Sequence, residues 1–258
     1  MIEVSNLTKW YGSLLAVNAV SFRVERGEIL GYLGPNGAGK STTVKMLTGI
    51  LSPSSGTILI DGQDLTTNPL AVKQRMGYVP EAGGLYESLT AYEFLQLVGR
   101  LYHLPEPLLE WRAQQLCRLF GLEAFQHERL SGLSKGMKQK VLLSAALIHN
   151  PDILFLDEPL SGLDATTMLI IKELLSQLAA RGKTIFYCSH VLDVVERICR
   201  RVVILDRGRI IADAPVEQLK EVTAQQSLEG VFSQLTEATD ASQVARALTE
   251  IIAGEAGP

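Results

Sequence analysis

Residues 34–42 read GPNGAGKST and follow directly on the run EILGYL. The first eight of them fit G-x-x-x-x-G-K-[ST], the loop that cradles phosphate groups between a strand and a helix N-terminus. No other stretch constrains the fold as much, because the loop works only when a strand leads into it and a helix leads out. EILGYL reads as that strand, and KSTTVKMLTGI as that helix. Gly34, Gly37 and Gly39 let backbone N–H groups come close to phosphate oxygens, with Pro35, Asn36, Ala38 and Thr42 completing the loop. Lys40 is placed to reach the β- and γ-phosphates, and the Ser41 hydroxyl suits Mg²⁺.

The surrounding pattern predicts a layered α/β protein. IEVSNL and VSFRVE alternate apolar and polar residues, as half-buried antiparallel strands do, and TILIDG reads as a further strand. Between residues 86 and 150 the period changes to helical, in TAYEFLQLVGRLYHL, PLLEWRAQQLCRLFGL and GMKQKVLLSAALIHN, with no convincing strand among them. From residue 152 strands and helices alternate: DILFLD, ATTMLIIKELLSQLAA, TIFYCS, VLDVVERIC, RVVILD. That alternation implies a parallel sheet with crossover helices. Past residue 214, VEQLKEV, LEGVFSQL and VARALTEII read as helices.

Three further stretches carry chemistry. ILFLDEP is a buried strand that ends in two acids; Asp157 is placed to bind Mg²⁺ through water, and Glu158 to act as general base for a water attacking the γ-phosphate. A hydrophobic run before Asp-Glu is by itself more often a plain strand end, and the upstream loop is what favours the functional reading. His190 closes the strand TIFYCS, at the carboxyl end of a parallel strand where such sheets place ligands, within reach of a γ-phosphate. The third stretch, SGLSKGMKQK at 131–140, is a second helix start, with Ser134 as its cap. A helix start binds anions through its free N–H groups, and a chain that already has a phosphate loop has no evident need of another.

Composition narrows the class. The net charge of −4 and pI of about 5.7 argue against a nucleic-acid binder that works by neutralising phosphates. Cys117, Cys188 and Cys199 have no metal-ligand spacing and read as reduced, buried thiols. The longest apolar runs, such as ILFL and VVIL, fall far short of the ~18–20 residues of a membrane span, and MIEVSNLTKW has no signal-peptide core. A cytosolic chain is expected, held at a membrane only through a partner.

Taken in order, Tyr11, GPNGAGKST, GYVPE, LSKGM, LFLDEP, SGLD and the Ser-His pair ending at His190 resemble the nucleotide-binding subunit of ATP-binding cassette (ABC) transporters, from residue 2 to about 235. The resemblance implies a P-loop NTPase core with a parallel sheet, an N-terminal antiparallel β subdomain, an inserted α-helical subdomain at about 86–150, and a helical C-terminal extension. Residues 1–235 would be the cassette and 236–258 a helical tail. ATP and Mg²⁺ are the implied cofactors. Lys40, Glu158 and His190 would be catalytic; Ser41, Glu81 and Asp157 would hold the metal. Tyr11 would stack on adenine, and Ser134, Gly136 and Asp164 would lie against nucleotide. The helix start at Ser134 would cover the γ-phosphate held by a second copy, so that ATP joins two subunits head to tail. Glu81 stands where the family usually has glutamine, and LSKGM where LSGGQ is commonest. Both features resemble exporter-type, efflux ATPases that serve a separate transmembrane permease. Tyr86, Tyr92 and Phe94 are candidates for the permease contact. A soluble ABC-type ATPase acting on the ribosome or nucleic acid, and a regulatory module that holds ATP without turnover, are the alternatives; Glu158 and His190 argue against the second.

Overall fold

Ile2, Val4 and Leu7 point one way from the first strand, into an apolar layer, and this inward face sets the architecture. The computed structural model describes residues 1–236. The expected helix VARALTEII lies outside the described residues. Strands β1 (Ile2–Tyr11), β2 (Leu14–Val24), β4 (Ser55–Ile60) and β5 (Gln63–Asp64) form an antiparallel sheet in the order β2-β1-β4-β5.

The second sheet has the order β10-β9-β3-β8-β7-β6, with β3 (Ile29–Leu33), β6 (Met76–Val79), β7 (Ile153–Asp157), β8 (Thr184–Cys188), β9 (Arg201–Asp206) and β10 (Arg209–Pro215). All its neighbours run parallel except β10, which returns antiparallel along β9. Every residue of β3, β7 and β8 is buried, as expected for a parallel sheet covered on both sides. The pleat sends alternate side chains to opposite layers. Tyr32, Phe155 and Phe186 meet the antiparallel sheet and helix α1 (Lys40–Leu47); Leu154, Leu156, Ile185 and Tyr187 face the remaining helices.

Helices α3 (Ala91–Leu101), α4 (Glu106–Leu119) and α5 (Lys135–Leu147) fill the interval between β6 and β7, so the helical insertion is itself the crossover between two adjacent parallel strands. A capping box starts α3: Thr90 Oγ1 accepts the Glu93 N–H at 3.1 Å, and a Glu93 carboxylate oxygen accepts the Thr90 N–H at 2.8 Å. Helices α6 (Ala165–Ala180) and α7 (Leu192–Ile198) follow β7 and β8; α9 (Leu228–Leu235) packs against α7, and α8 (Val216–Thr223) against α9 and β10. Four short elements are not evident in the sequence pattern: β5, β6, β10 and α2 (Pro69–Lys73). Strand β6 matters most, since it closes the parallel edge and aims the segment that follows it.

Candidate nucleotide site

The sheet collects the site at the carboxyl ends of β3, β7 and β8, which lie side by side at its centre. The loop 34–39 leaves β3 and turns into α1 at Gly39. Gly39 has φ +105°, and a Cβ there would lie 2.5 Å from the Ala16 carbonyl oxygen, so the tight entry into α1 requires glycine. Ala38 is buried inside the loop. The Lys40 ammonium folds over the loop and donates to the carbonyl oxygens of Gly34 at 2.7 Å and Pro35 at 3.0 Å. Tyr11, Leu14, Asn36, Gly37, Lys40, Ser41, Thr42, Glu81, Asp157, Glu158 and His190 line one cleft of about 620 Å³.

Three carboxylates, Glu81, Asp157 and Glu158, line that cleft together with Lys40. Asp157 is buried at the end of β7, register partner of Cys188. Burial lifts its carboxyl above the usual range; hydrogen bonds from Cys188 and Ser41 oppose the shift, and the charges of Glu81 and Glu158 add to it. Glu158 adopts φ +49°, in the left-handed region. Both oxygens of its carboxylate are tethered: Oε1 accepts the His190 N–H at 2.8 Å and lies 2.7 Å from His190 Nδ1, while Oε2 accepts the Ser189 hydroxyl at 3.0 Å. The His190 ring stands mostly in solvent, so Glu158 is fixed from below and His190 faces the cleft. Ser189 is quoted in the Ser-His pair of the motif reading but is given no role there. Its hydroxyl also accepts the Val191 N–H, fixing the turn.

Glu81 reaches the cleft because β6 pairs in register with β7, Val79 opposite Leu156, and delivers the segment Pro80–Glu81 beside Asp157. Mg²⁺ takes one or two protein carboxylates, the remaining oxygens coming from phosphate, hydroxyl and water. The Ser41 hydroxyl and the Asp157 and Glu81 carboxylates line the same cleft and fit that demand. Among the described residues no three His, Cys, Asp or Glu side chains are placed to hold a metal unaided. Tyr11 is 46% exposed at the cleft mouth, with Lys9 Nζ 5.6 Å above its ring.

The second helix start is elsewhere. Ser134 caps α5, its Oγ accepting the Met137 N–H at 3.3 Å. Neither Ser134 nor Gly136 lines the cleft that holds Lys40. Asp164 also lies outside it: it caps α6, accepting the Thr167 N–H at 2.8 Å and hydroxyl at 2.7 Å, and these bonds bring its pKa down to about 2. Of the aromatics on the helical lobe, Tyr86 is 63% exposed, Tyr92 packs edge-on to His127, and Phe94 belongs to the core.

Loop, paired acids and histidine on this sheet define a nucleotide hydrolase, and the comparisons agree. The ABC transporter family profile matches residues 17–161. The chain is 41% identical to the ABC transporter ATP-binding protein NatA of Bacillus subtilis, over 84% of this chain and 89% of that protein. It is 38% identical to the Nod factor export ATP-binding protein I of Burkholderia lata, over 85% of this chain and 72% of that one. Among solved structures, an ATP-binding subunit of an ABC transporter superposes with a TM-score of 0.86 at 35% identity, covering 91% of this chain and 99% of that chain. A dimeric ATP-binding cassette in a post-hydrolysis state, bound to ADP and Pi, superposes at 0.75 with 26% identity, covering 83% and 98%. The chain belongs to the ABC transporter ATP-binding family and is an ATPase.

Proposed function

We propose that two copies of this chain pair head to tail around two ATP molecules and that the pair drives a separate transmembrane permease from the cytoplasmic face of the membrane, as an exporter. One observation carries the reading. The chain has two phosphate-competent helix starts, and the one at Ser134 does not line the chain's own phosphate cleft. Its free N–H groups are satisfied when a second copy presents its nucleotide.

In each composite site Tyr11 stacks on adenine, and Lys40 leaves its loop carbonyls for the β- and γ-phosphates. Ser41, Asp157 and Glu81 would hold Mg²⁺, which would supply charge neutralisation at the phosphates. Glu158 takes the proton of the attacking water, and its bonds to Ser189 and His190 hold the carboxylate in place. Ser134 and Gly136 of the second copy close over the γ-phosphate, with Asp164 at the seam. ATP therefore favours the closed pair, and hydrolysis removes the group that both copies grip.

Export is supported by the names of the relatives, which include Nod factor export proteins, a linearmycin resistance protein and a probable multidrug transporter protein. Among the described residues no helix is long and apolar enough to cross a membrane. Residues 1–235 serve as the cassette, and exposed Tyr86 on the lobe 86–150 is the foremost contact for the permease. Affinity purification of the tagged chain from its native membrane tests this. A polytopic membrane protein should co-purify and raise or couple its ATPase rate. A chain recovered only with ribosomes or nucleic acid, in a salt-dependent manner, would overturn it.

A further inference from the structure

The first two turns of α5 are fastened to the turn that follows Glu158. The Gln139 side-chain amide donates to the Pro159 carbonyl oxygen at 3.0 Å, and Gln139 is only 5% exposed. One turn earlier, Gly136 packs so closely that a Cβ would lie 2.5 Å from the Gly162 carbonyl oxygen. One residue later, Lys140 Nζ lies 3.4 Å from Asp164 Oδ2. These contacts fall on one helix start and on six consecutive residues, 159–164. Glu158, next to the first of them, is held in the left-handed region at φ +49°, which a non-glycine residue keeps only where its neighbours impose it. The Pro159 carbonyl belongs to the Pro159–Leu160 peptide, one link beyond the Glu158–Pro159 bond, so a bond to it restrains the turn that leads the chain out of Glu158.

We infer that Gln139 is a positioning residue that makes the α5 start and the Glu158 turn move as one piece. The inference rests on the composite-site reading proposed above. In that arrangement Ser134 senses the ATP of the second copy, while Glu158 acts on the ATP of its own chain. A rigid tie between them makes each chain's hydrolytic geometry depend on the nucleotide held by the other. The two sites then turn over cooperatively, and Gln139 sets the coupling without touching either nucleotide. A coupling of this kind needs an element with two arrangements that both sites bias, and the open and closed pair supplies it.

The test uses the full chain and Gln139→Met, which keeps the volume and removes the donor. Three quantities are measured: ATP affinity of the single chain, ATP-driven pairing in a Glu158→Gln background, and the dependence of turnover on ATP concentration. The variant should bind ATP within about twofold of the parent and still pair. Its kcat should fall about tenfold, as for a slightly misplaced catalytic group, and its Hill coefficient should drop from above 1 to 1. Lys140→Met, which breaks the outer tie, should shift both quantities the same way by less, and it carries the test if Gln139→Met does not fold. Unchanged kcat and Hill coefficient in a parent that is cooperative and pairs with ATP would overturn the positioning role. So would parallel loss of ATP affinity and melting temperature with kcat, which marks a merely structural bond. A parent that neither pairs nor shows cooperativity would instead sink the composite-site reading.

Discussion

Glu158 and Asp157 are neighbours with opposite surroundings, and each yields a prediction. Glu158 accepts from the Ser189 hydroxyl and the His190 backbone N–H and lies 2.7 Å from His190 Nδ1, which orients it as a base. Glu158→Gln keeps the shape and removes the basicity. It should bind Mg-ATP normally and turn over at least ~10²-fold slower, with the ATP-bound pair accumulating in light scattering. Near-normal turnover would remove Glu158 from the catalytic role. Asp157 is buried, and its carboxyl sits above the usual range chiefly through desolvation. The sign follows from linkage: the folded state binds its proton more tightly than the unfolded chain, so ionised Asp157 opposes folding as pH rises through its folded pKa. Asp157→Asn should therefore raise the nucleotide-free melting temperature at pH 7 by at least ~2 °C. The gain should shrink as pH falls through the raised folded pKa and be lost below the ordinary aspartate value of about 4. Calorimetry across pH checks this, and a variant less stable at pH 7 would mean that the Ser41 and Cys188 bonds outweigh the burial.

Elements were legible in proportion to their length and burial. Strands β3, β7 and β8 are buried throughout, and each reads as an unbroken apolar run. Helices α3 to α6 are long enough for their period to show. Strand β6 is four residues with a glycine and a proline at its edge, too short for alternation to register, although its pairing with β7 positions Glu81. Strand β10 alternates exposed and half-buried residues, and only its pairing with β9 makes it a strand. The phosphate loop, the acids and the α5 cap were readable because each is local. The Ser189 and Gln139 bonds were not, since they join segments 31 and 20 residues apart. Packing inside the helical lobe gives a prediction at this scale. A Cβ on Gly99 of α3 would fall on the Leu109 side chain of α4. Gly99→Val should cost about 1–3 kcal/mol by overpacking, seen as a lower urea midpoint. An unchanged midpoint would show that the two helices can separate freely.

In the whole molecule of the proposed pair, the α5 start finds its phosphate on the second copy. Within one chain it does not line the cleft of Lys40. The isolated chain should accordingly be mostly monomeric without nucleotide and pair on adding Mg-ATP to a Glu158→Gln background. Truncation near residue 220 controls for pairing through the C-terminal segment. The most direct measurement mixes two inactive variants. Lys40→Ala spoils the phosphate loop and keeps the α5 start; Ser134→Arg blocks the α5 start and keeps the loop. In a mixed pair the intact loop of one faces the intact start of the other, giving one whole site. Each variant alone should trap little nucleotide, and the mixture should trap clearly more, dependent on the γ-phosphate. If cross-linking shows that mixed pairs form and trapping still stays at the level of the single variants, Ser134 does not read the second copy's ATP, and the head-to-tail account is wrong.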